Sequence, residues 1–149
     1  MPVRVQSEDF DLGREVTLLR AGITDAGALA TFSGLVRDDG GLQAMELEHY
    51  PGMTEAALAE LEAAAVTRWS LQAALIIHRH GRLNPGDQIM MVATLAPHRH
   101  AAFEAAEFLM DALKSRAPFW KKEHFATGEA RWVAARDEDE DALTRWGER

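Results

Sequence analysis

The 149-residue chain contains no cysteine. It can form no disulfide, offers no thiolate to a metal and has no sulfur nucleophile of its own. A run of about 18 apolar residues is also missing, so no transmembrane helix is expected. The N-terminus lacks the pattern of a signal peptide, and the expected location is the cytoplasm. Nor is there an excess of positive charge. The formal net charge is −8, which argues against nucleic acid as a partner. Much of that charge is local, in Asp137-Glu138-Asp139-Glu140-Asp141. This run opens an acidic C-terminal segment, 137–149, and reads as a solvated stretch.

Lysine is scarce as well. The three lysines, Lys114, Lys121 and Lys122, lie in one stretch, Lys114-Ser-Arg-Ala-Pro-Phe-Trp-Lys121-Lys122-Glu123, whereas the thirteen arginines are spread over the whole chain. Arginine stays protonated and forks onto carboxylates and phosphates. Lysine is a compact point charge whose pKa can be pushed low enough to move protons or attack a carbonyl. Ammonium groups kept in one place read either as a solvated basic patch beside a helix end or as a reaction site. Crowded cations disfavour one another's charge, and a lysine tuned in this way can act as a general acid or base near neutral pH. The same crowding makes an anion site, and residue types alone do not separate the two roles.

A chain of this length is expected to form one domain, 1–149, burying roughly 70% of the surface exposed when unfolded. Hydrophobic content of 47% and charge of 27% describe an ordinary globular protein. Val3 to Gln6 reads as a short strand, and Asp11 caps a short helix through Arg20. Gly27 to Arg37 reads as a buried strand leading into the loop Asp38-Asp39-Gly40-Gly41. Leu42 to Tyr50 alternates, with Leu42, Ala44, Glu46, Glu48 and Tyr50 on one side and Met45, Leu47 and His49 on the other. An amphipathic helix follows over Thr54 to Trp69, its apolar stripe formed by Ala57, Leu58, Leu61, Ala65 and Trp69.

Two apolar runs, Ala73 to His78 and Gln88 to Leu95, flank Asn84-Pro85-Gly86-Asp87. Proline then glycine suits a type II turn, so the runs are expected to pair antiparallel. A second long helix is expected from Pro97 to Arg116, with Phe103, Ala106, Met110 and Leu113 facing the core and Pro118 ending it. Phe119 to Phe125 and Glu129 to Ala135 read as two more strands. The expected class is α+β: one domain, a mostly antiparallel sheet and two main helices.

Besides the lysines, two places suit anions. His98-Arg99 opens the second long helix, where free N–H groups and the helix dipole favour phosphate. An Arg-His pair there also reads as a helix-start pair bonded to backbone. Gly34-Leu35-Val36-Arg37 sets an arginine at a strand end, placed to fork onto an anion. His78-Arg79-His80 and His98-Arg99-His100 raise the question of metal. Zinc takes three or four ligands in recognisable patterns, and neither H-E-x-x-H nor a clustered third ligand is present, so no metal is expected.

Taken in order, these segments resemble the large, catalytic subunit of molybdopterin synthase. The resemblance is carried by Thr31-Phe32-Ser33-Gly34-Leu35-Val36-Arg37, Leu47-Glu48-His49-Tyr50-Pro51-Gly52-Met53, and His78-Arg79-His80-Gly81 with Pro85-Gly86-Asp87. It continues through His98-Arg99, Lys114 to Glu123 and Arg131-Trp132-Val133, and so covers nearly the whole chain.

The resemblance implies an α/β-hammerhead-like fold and a sulfurtransferase of molybdenum cofactor synthesis. Its substrate would be cyclic pyranopterin monophosphate, converted to the dithiolene molybdopterin by addition of two sulfurs. No permanently bound cofactor is implied. Sulfur would arrive as a thiocarboxylate on the C-terminal glycine of a small ubiquitin-like partner ending in Gly-Gly, which fits a chain without cysteine. Lys114 and Lys121 match the family's catalytic lysines. Leu35, Val36, Arg37, His98, Arg99, Lys122, Glu123 and Arg136 match its substrate pocket, together with the two lysines. At Leu35 relatives can carry a basic residue, so a backbone contact is what remains there.

His98 and Lys114 lie sixteen residues apart, roughly 24 Å along one helix. If both touch one pterin, the simplest arrangement is a two-fold homodimer with shared pockets, the core of a heterotetramer with two small subunits. Two other classes stay open: a non-catalytic module that binds the C-terminal tail of a ubiquitin-like protein, and a metal-dependent hydrolase built on the His-Arg-His triplets.

Overall fold

The computed structural model describes residues 2–133 and 146–147. In chain order the elements are β1 (Val3–Gln6), α1 (Leu12–Arg20), β2 (Ala28–Leu35), β3 (Leu42–His49), α2 (Met53–Trp69) and β4 (Ala73–Arg79). There follow β5 (Gly81–Leu83), β6 (Gln88–Ala96), α3 (Arg99–Arg116), β7 (Phe119–Phe125) and β8 (Ala130–Trp132). The class is α+β, as expected, but the strands form two four-stranded sheets, in the orders β1-β4-β6-β2 and β5-β3-β7-β8.

The first sheet is built on the two apolar runs. β4 pairs antiparallel with β6. Among the turn residues between them, Gly86 has φ 92° and the Asp87 N–H donates to the Asn84 carbonyl at 3.0 Å, the geometry of a type II turn. β1 joins β4 in parallel, and β2 lines the other edge, antiparallel to β6. Central strands covered on both faces read as continuous apolar runs, and β4 illustrates this. Leu75 and Ile77 point into a cluster with Phe10 and residues Leu12, Val16 and Leu19 of the α1 region. Ala74 and Ile76 point the other way, into the main core with Leu58, Leu61 and Ala65 of α2 and Ala105, Leu109 and Ala112 of α3. Removing a large aliphatic side chain such as Leu58 or Leu109 from water contributes roughly 1.5–3 kcal/mol each.

The strand expected to be buried, β2, buries only Ala30 because it lies at the sheet edge, and further expectations need correction. Between the two central strands the chain crosses to the second sheet, where Gly81–Leu83 pairs with Leu47, Glu46 and Met45. A three-residue strand beginning with glycine carries no periodic signal of its own. In β3 a bulge interrupts pairing with β7 between Leu42 and Ala44, so Leu42 joins the cluster of Leu47, Met45 and Leu83 instead of the opposite side. Phe103 is 66% exposed, and the core face of α3 is instead Ala102, Ala105, Ala106, Phe108, Leu109, Ala112 and Leu113. The buried stripe runs along Ala102, Ala105, Ala106, Leu109, Ala112 and Leu113, and at 3.6 residues per turn position 103 falls to one side of it.

α3 begins at Arg99 with His98 as its N-cap residue, in extended conformation, two residues later than expected. The approach to this start is tight. A Cβ on Gly27 would lie 2.2 Å from the Pro97 carbonyl oxygen, so only glycine lets the start of β2 pass there.

Near the C-terminus, Trp146 is 5% exposed. Its indole N–H donates to Asp111 at 2.6 Å, and its ring meets Trp69 and Phe108 edge-on. The acidic C-terminal segment 137–149 therefore returns a tryptophan to the core. The run 137–141 lies outside the described residues.

Candidate functional site

α3 ends at Ala117, whose extended backbone (φ −73°, ψ 132°) leads through Pro118 directly into β7. Lys114 stands exposed in the last helical turn. In β7 the two-residue alternation of a strand separates the remaining lysines. Phe119, Lys121 and Glu123 lie opposite His49, Leu47 and Met45 of β3, and directly opposed residues share a face. This face is turned toward the first sheet, for the Phe119 ring stacks on His78 of β4 at 3.7 Å between centroids and 16° between planes. Trp120, Lys122 and His124 point the other way. Trp120 meets Tyr50 edge-on at 4.7 Å, the Lys122 ammonium sits 5.5 Å from the Trp132 ring centroid, and His124 bonds Glu46 at 2.6 Å. The three lysines are thus neighbours in sequence without forming one crowd of ammonium groups.

The inward face around Lys121 is rich in imidazole. His49 and His80 approach to 4.5 Å between ring centroids, His49 lies 6.1 Å from Phe119, and the His49 Nδ1 is 3.3 Å from the Thr54 hydroxyl. His78 is 7% exposed. Its Nδ1 lies 2.8 Å from the Arg79 carbonyl. A carbonyl only accepts, so Nδ1 carries the proton and Nε2 is left with a lone pair. Burial pushes the His78 pKa down to about 4, with Lys121, His49 and His80 adding to the depression and the Arg79 carbonyl opposing it. Burial also lowers His80, helped by His49 and opposed by Glu8 and Glu55.

A histidine held neutral by folding has a consequence for stability. Its folded pKa lies below the unfolded value of 6.5, so the unfolded chain binds more protons between the two. The stability is fully present above pH 6.5 and is lost as pH falls toward 4, by roughly 3 kcal/mol for a shift of this size. Denaturant titrations at pH 7 and pH 4.5 should show His78→Phe losing markedly less stability on acidification than the parent. Equal losses in the two proteins would remove His78 from the acid response.

Arg37 follows the end of β2. Val36 is buried and ties the strand end to the turn, its N–H donating to Asp87 at 2.9 Å and its carbonyl accepting from Gly86 at 2.7 Å. Leu35 is 58% exposed, and Arg37 pairs on the surface with Asp39 at 3.5 Å. The sheet registers set His78 against Met90 and Met90 against Gly34, so the Arg37 end of β2 and the Lys121 region belong to the same end of the sheet. Glu123 pairs with Arg131 at 3.6 Å.

His98 and Arg99 lie at the other end. β6 finishes at Ala96, paired with Ala28 at the start of β2, and along α3 Arg99 is separated from Lys114 in the last turn by about 22 Å. Within one chain, then, Lys114, Lys121 and the Arg37 strand end gather at one end of the fold, and His98 and Arg99 stand apart. Arg136 lies outside the described residues. Sequence reasoning missed His49 and Phe119 as parts of the Lys121 surroundings. Two-residue alternation in β3 and β7 carried the signal, but only once the two strands are known to pair.

The described residues include no group of three His, Asp or Glu side chains arranged to share an ion, and no helix among them is long and apolar enough to cross a membrane. The arrangement at the lysine end suits binding an anion and moving protons, with the Lys121 ammonium and the neutral His78 imidazole on the same inward side.

The family model described as MoaE protein matches residues 5–116. A molybdopterin synthase catalytic subunit of Cereibacter sphaeroides is 61% identical over 147 residues, covering 98% of this chain and all of the relative. Among solved structures, the molybdopterin biosynthesis MoaE protein from Burkholderia ambifaria is 56% identical and superposes with a TM-score of 0.85, covering 97% of both chains. Molybdopterin synthase from Staphylococcus aureus shares 27% identity at a TM-score of 0.80, covering 87% of this chain and 95% of that one.

Proposed function

This chain belongs to the MoaE protein family, and we propose that it is the catalytic subunit of a molybdopterin synthase, a sulfurtransferase that adds two sulfurs to cyclic pyranopterin monophosphate. The observation that carries this reading is 61% identity along the full length to a relative of that name. A catalytic subunit works with a second chain. The partner proposed is a small ubiquitin-like protein whose C-terminal Gly-Gly ends in a thiocarboxylate. Sulfur then comes from the partner, which suits a chain with no cysteine, and no permanently bound cofactor is needed.

In this reading Lys114 and Lys121 are the catalytic lysines. Lys114, exposed where α3 gives way to β7, polarises the incoming acyl group as sulfur departs and shares the proton transfers with Lys121. Lys121, on the inward face, moves protons as sulfur adds and the ring phosphate ester is released. Arg37, Glu123 and the backbone of Leu35, Val36 and Lys122, whose side chain faces away from Lys121, contribute to the substrate pocket, and His98, Arg99 and Arg136 hold the phosphate. The distance along α3 supports a homodimer in which His98 and Arg99 of one chain complete the pocket of the other, within a heterotetramer.

The test is a reaction of the purified protein with the pterin substrate and a thiocarboxylated partner, followed by detection of the pterin dithiolene. Product formation that requires both components is expected. Tight partner binding without turnover would overturn the reading in favour of a recognition module.

A further inference from the structure

The His78 imidazole is fixed from two sides. Its Nδ1–H is committed to the Arg79 carbonyl at 2.8 Å, and its face is stacked on Phe119 at 3.7 Å. The next residue on the same face of β7 is Lys121, opposite Leu47 and close enough for its charge to act on His78. A buried ring so held has one nitrogen left for function. We propose that His78 is a positioning residue for Lys121, offering its unprotonated Nε2 as a neutral acceptor to the Lys121 ammonium, directly or through one water. The purpose of such positioning rests on the proposed role of Lys121 in sulfur transfer.

The physics favours a histidine over the alternatives at this place. An aspartate or glutamate would hold the lysine permanently charged, and a second cation would repel it. A neutral imidazole supports the ammonium by a hydrogen bond yet leaves deprotonation accessible, because hydrogen bonding to the charged form raises a pKa only modestly compared with a full opposite charge. Burial keeps the ring neutral across the working range. Among the described residues, the other titratable groups facing this place are His49 on β3, His80 after β4, Glu123 further along β7, and Glu8 and Glu55, which act on His80. They are common to all the variants below, so a comparison isolates His78.

The scarcity of lysine makes the test direct. With three lysines in the chain, lysine labelled with 13C at Cε gives three resonances, and Lys121→Arg identifies the one that belongs to Lys121. The full-length protein is titrated through the lysine range as wild type, His78→Phe, His78→Asn and His78→Gln. Phenylalanine keeps the stack and removes both nitrogens, and asparagine places an amide where Nδ1 lies. Glutamine places its amide near Nε2 and restores an acceptor. The Lys121 midpoint is expected to fall by about one pH unit in His78→Phe and His78→Asn, the worth of one hydrogen bond to a charged group. It should return most of the way in His78→Gln, with Lys114 unmoved throughout.

An unchanged Lys121 midpoint in folded His78→Phe, or a glutamine variant no closer to wild type than asparagine, would overturn the proposal. If the phenylalanine protein does not fold, the asparagine–glutamine contrast decides in the same way. The titration needs neither pterin nor partner, so its outcome stands apart from whether the chain transfers sulfur. Where activity is measured, the alkaline limb of the kcat profile should move with the midpoint.

Discussion

Replacing Lys114 with alanine is expected to abolish sulfur transfer, lowering kcat by at least about a hundredfold, the usual contribution of a positioned acid–base group. The side chain is exposed in the last turn of α3, away from the seven residues that this helix buries, so its loss should leave thermal denaturation and partner affinity nearly unchanged. Lys114→Arg separates two roles. It keeps a positive charge at the helix end but gives up a transferable proton. Single-turnover kinetics with a thiocarboxylated partner should show the arginine protein nearly as impaired as the alanine one. Near-normal turnover by Lys114→Arg would restrict this residue to electrostatics.

The second large effect is a recovery. Lys114→Ala and His98→Ala should each be inactive alone. If each pocket draws Lys114 from one chain and His98 from the other, a mixed dimer collects both lesions in one pocket and leaves the second intact. Random reassortment gives mixed dimers for about half of the population, so activity should return to about a quarter of wild type, rising with the mixed fraction. If Lys114 and His98 of the same chain served one pocket, every pocket would stay damaged and nothing would return. The 18 residues of α3, about 27 Å of straight helix, stand against that second case, since a small pterin cannot touch both ends of the rod.

Most of the fold was legible because its signals are local. The Pro85-Gly86 turn, the Asp11 cap and the stripe of α2 each depend on residues a few positions apart, and each is where the sequence placed it. The misreadings came where packing decides. Phe103 was expected inside because it falls in step with Ala106, Met110 and Leu113, but the buried stripe of α3 runs through Ala102, Ala105 and Leu109 and leaves position 103 outside. Leu42 changed sides through a bulge that depends on pairing with β7.

The lysines were legible as a cluster of residue type. That Lys121 and Lys122 face opposite ways follows from the strand period once β7 is recognised. The contact between His78 and Phe119 was not legible, because it joins two sheets across forty-one positions of chain.

The order of strand pairing bears on how the chain is made. Val3 pairs with Ile76, Ala28 with Ala96, and Leu42 with Phe125. Each of the first three strands finds its partners only in the second half of the sequence. A nascent chain that has emerged as far as Trp69 holds two helices and three strands with nothing to pair against, and their apolar faces stay open until β4 and β6 appear. Such long-range closure folds slowly. It also leaves no place to divide the protein into independently stable halves: a cut between α2 and β4 severs both sheets at once, so the two fragments could regain the fold only together.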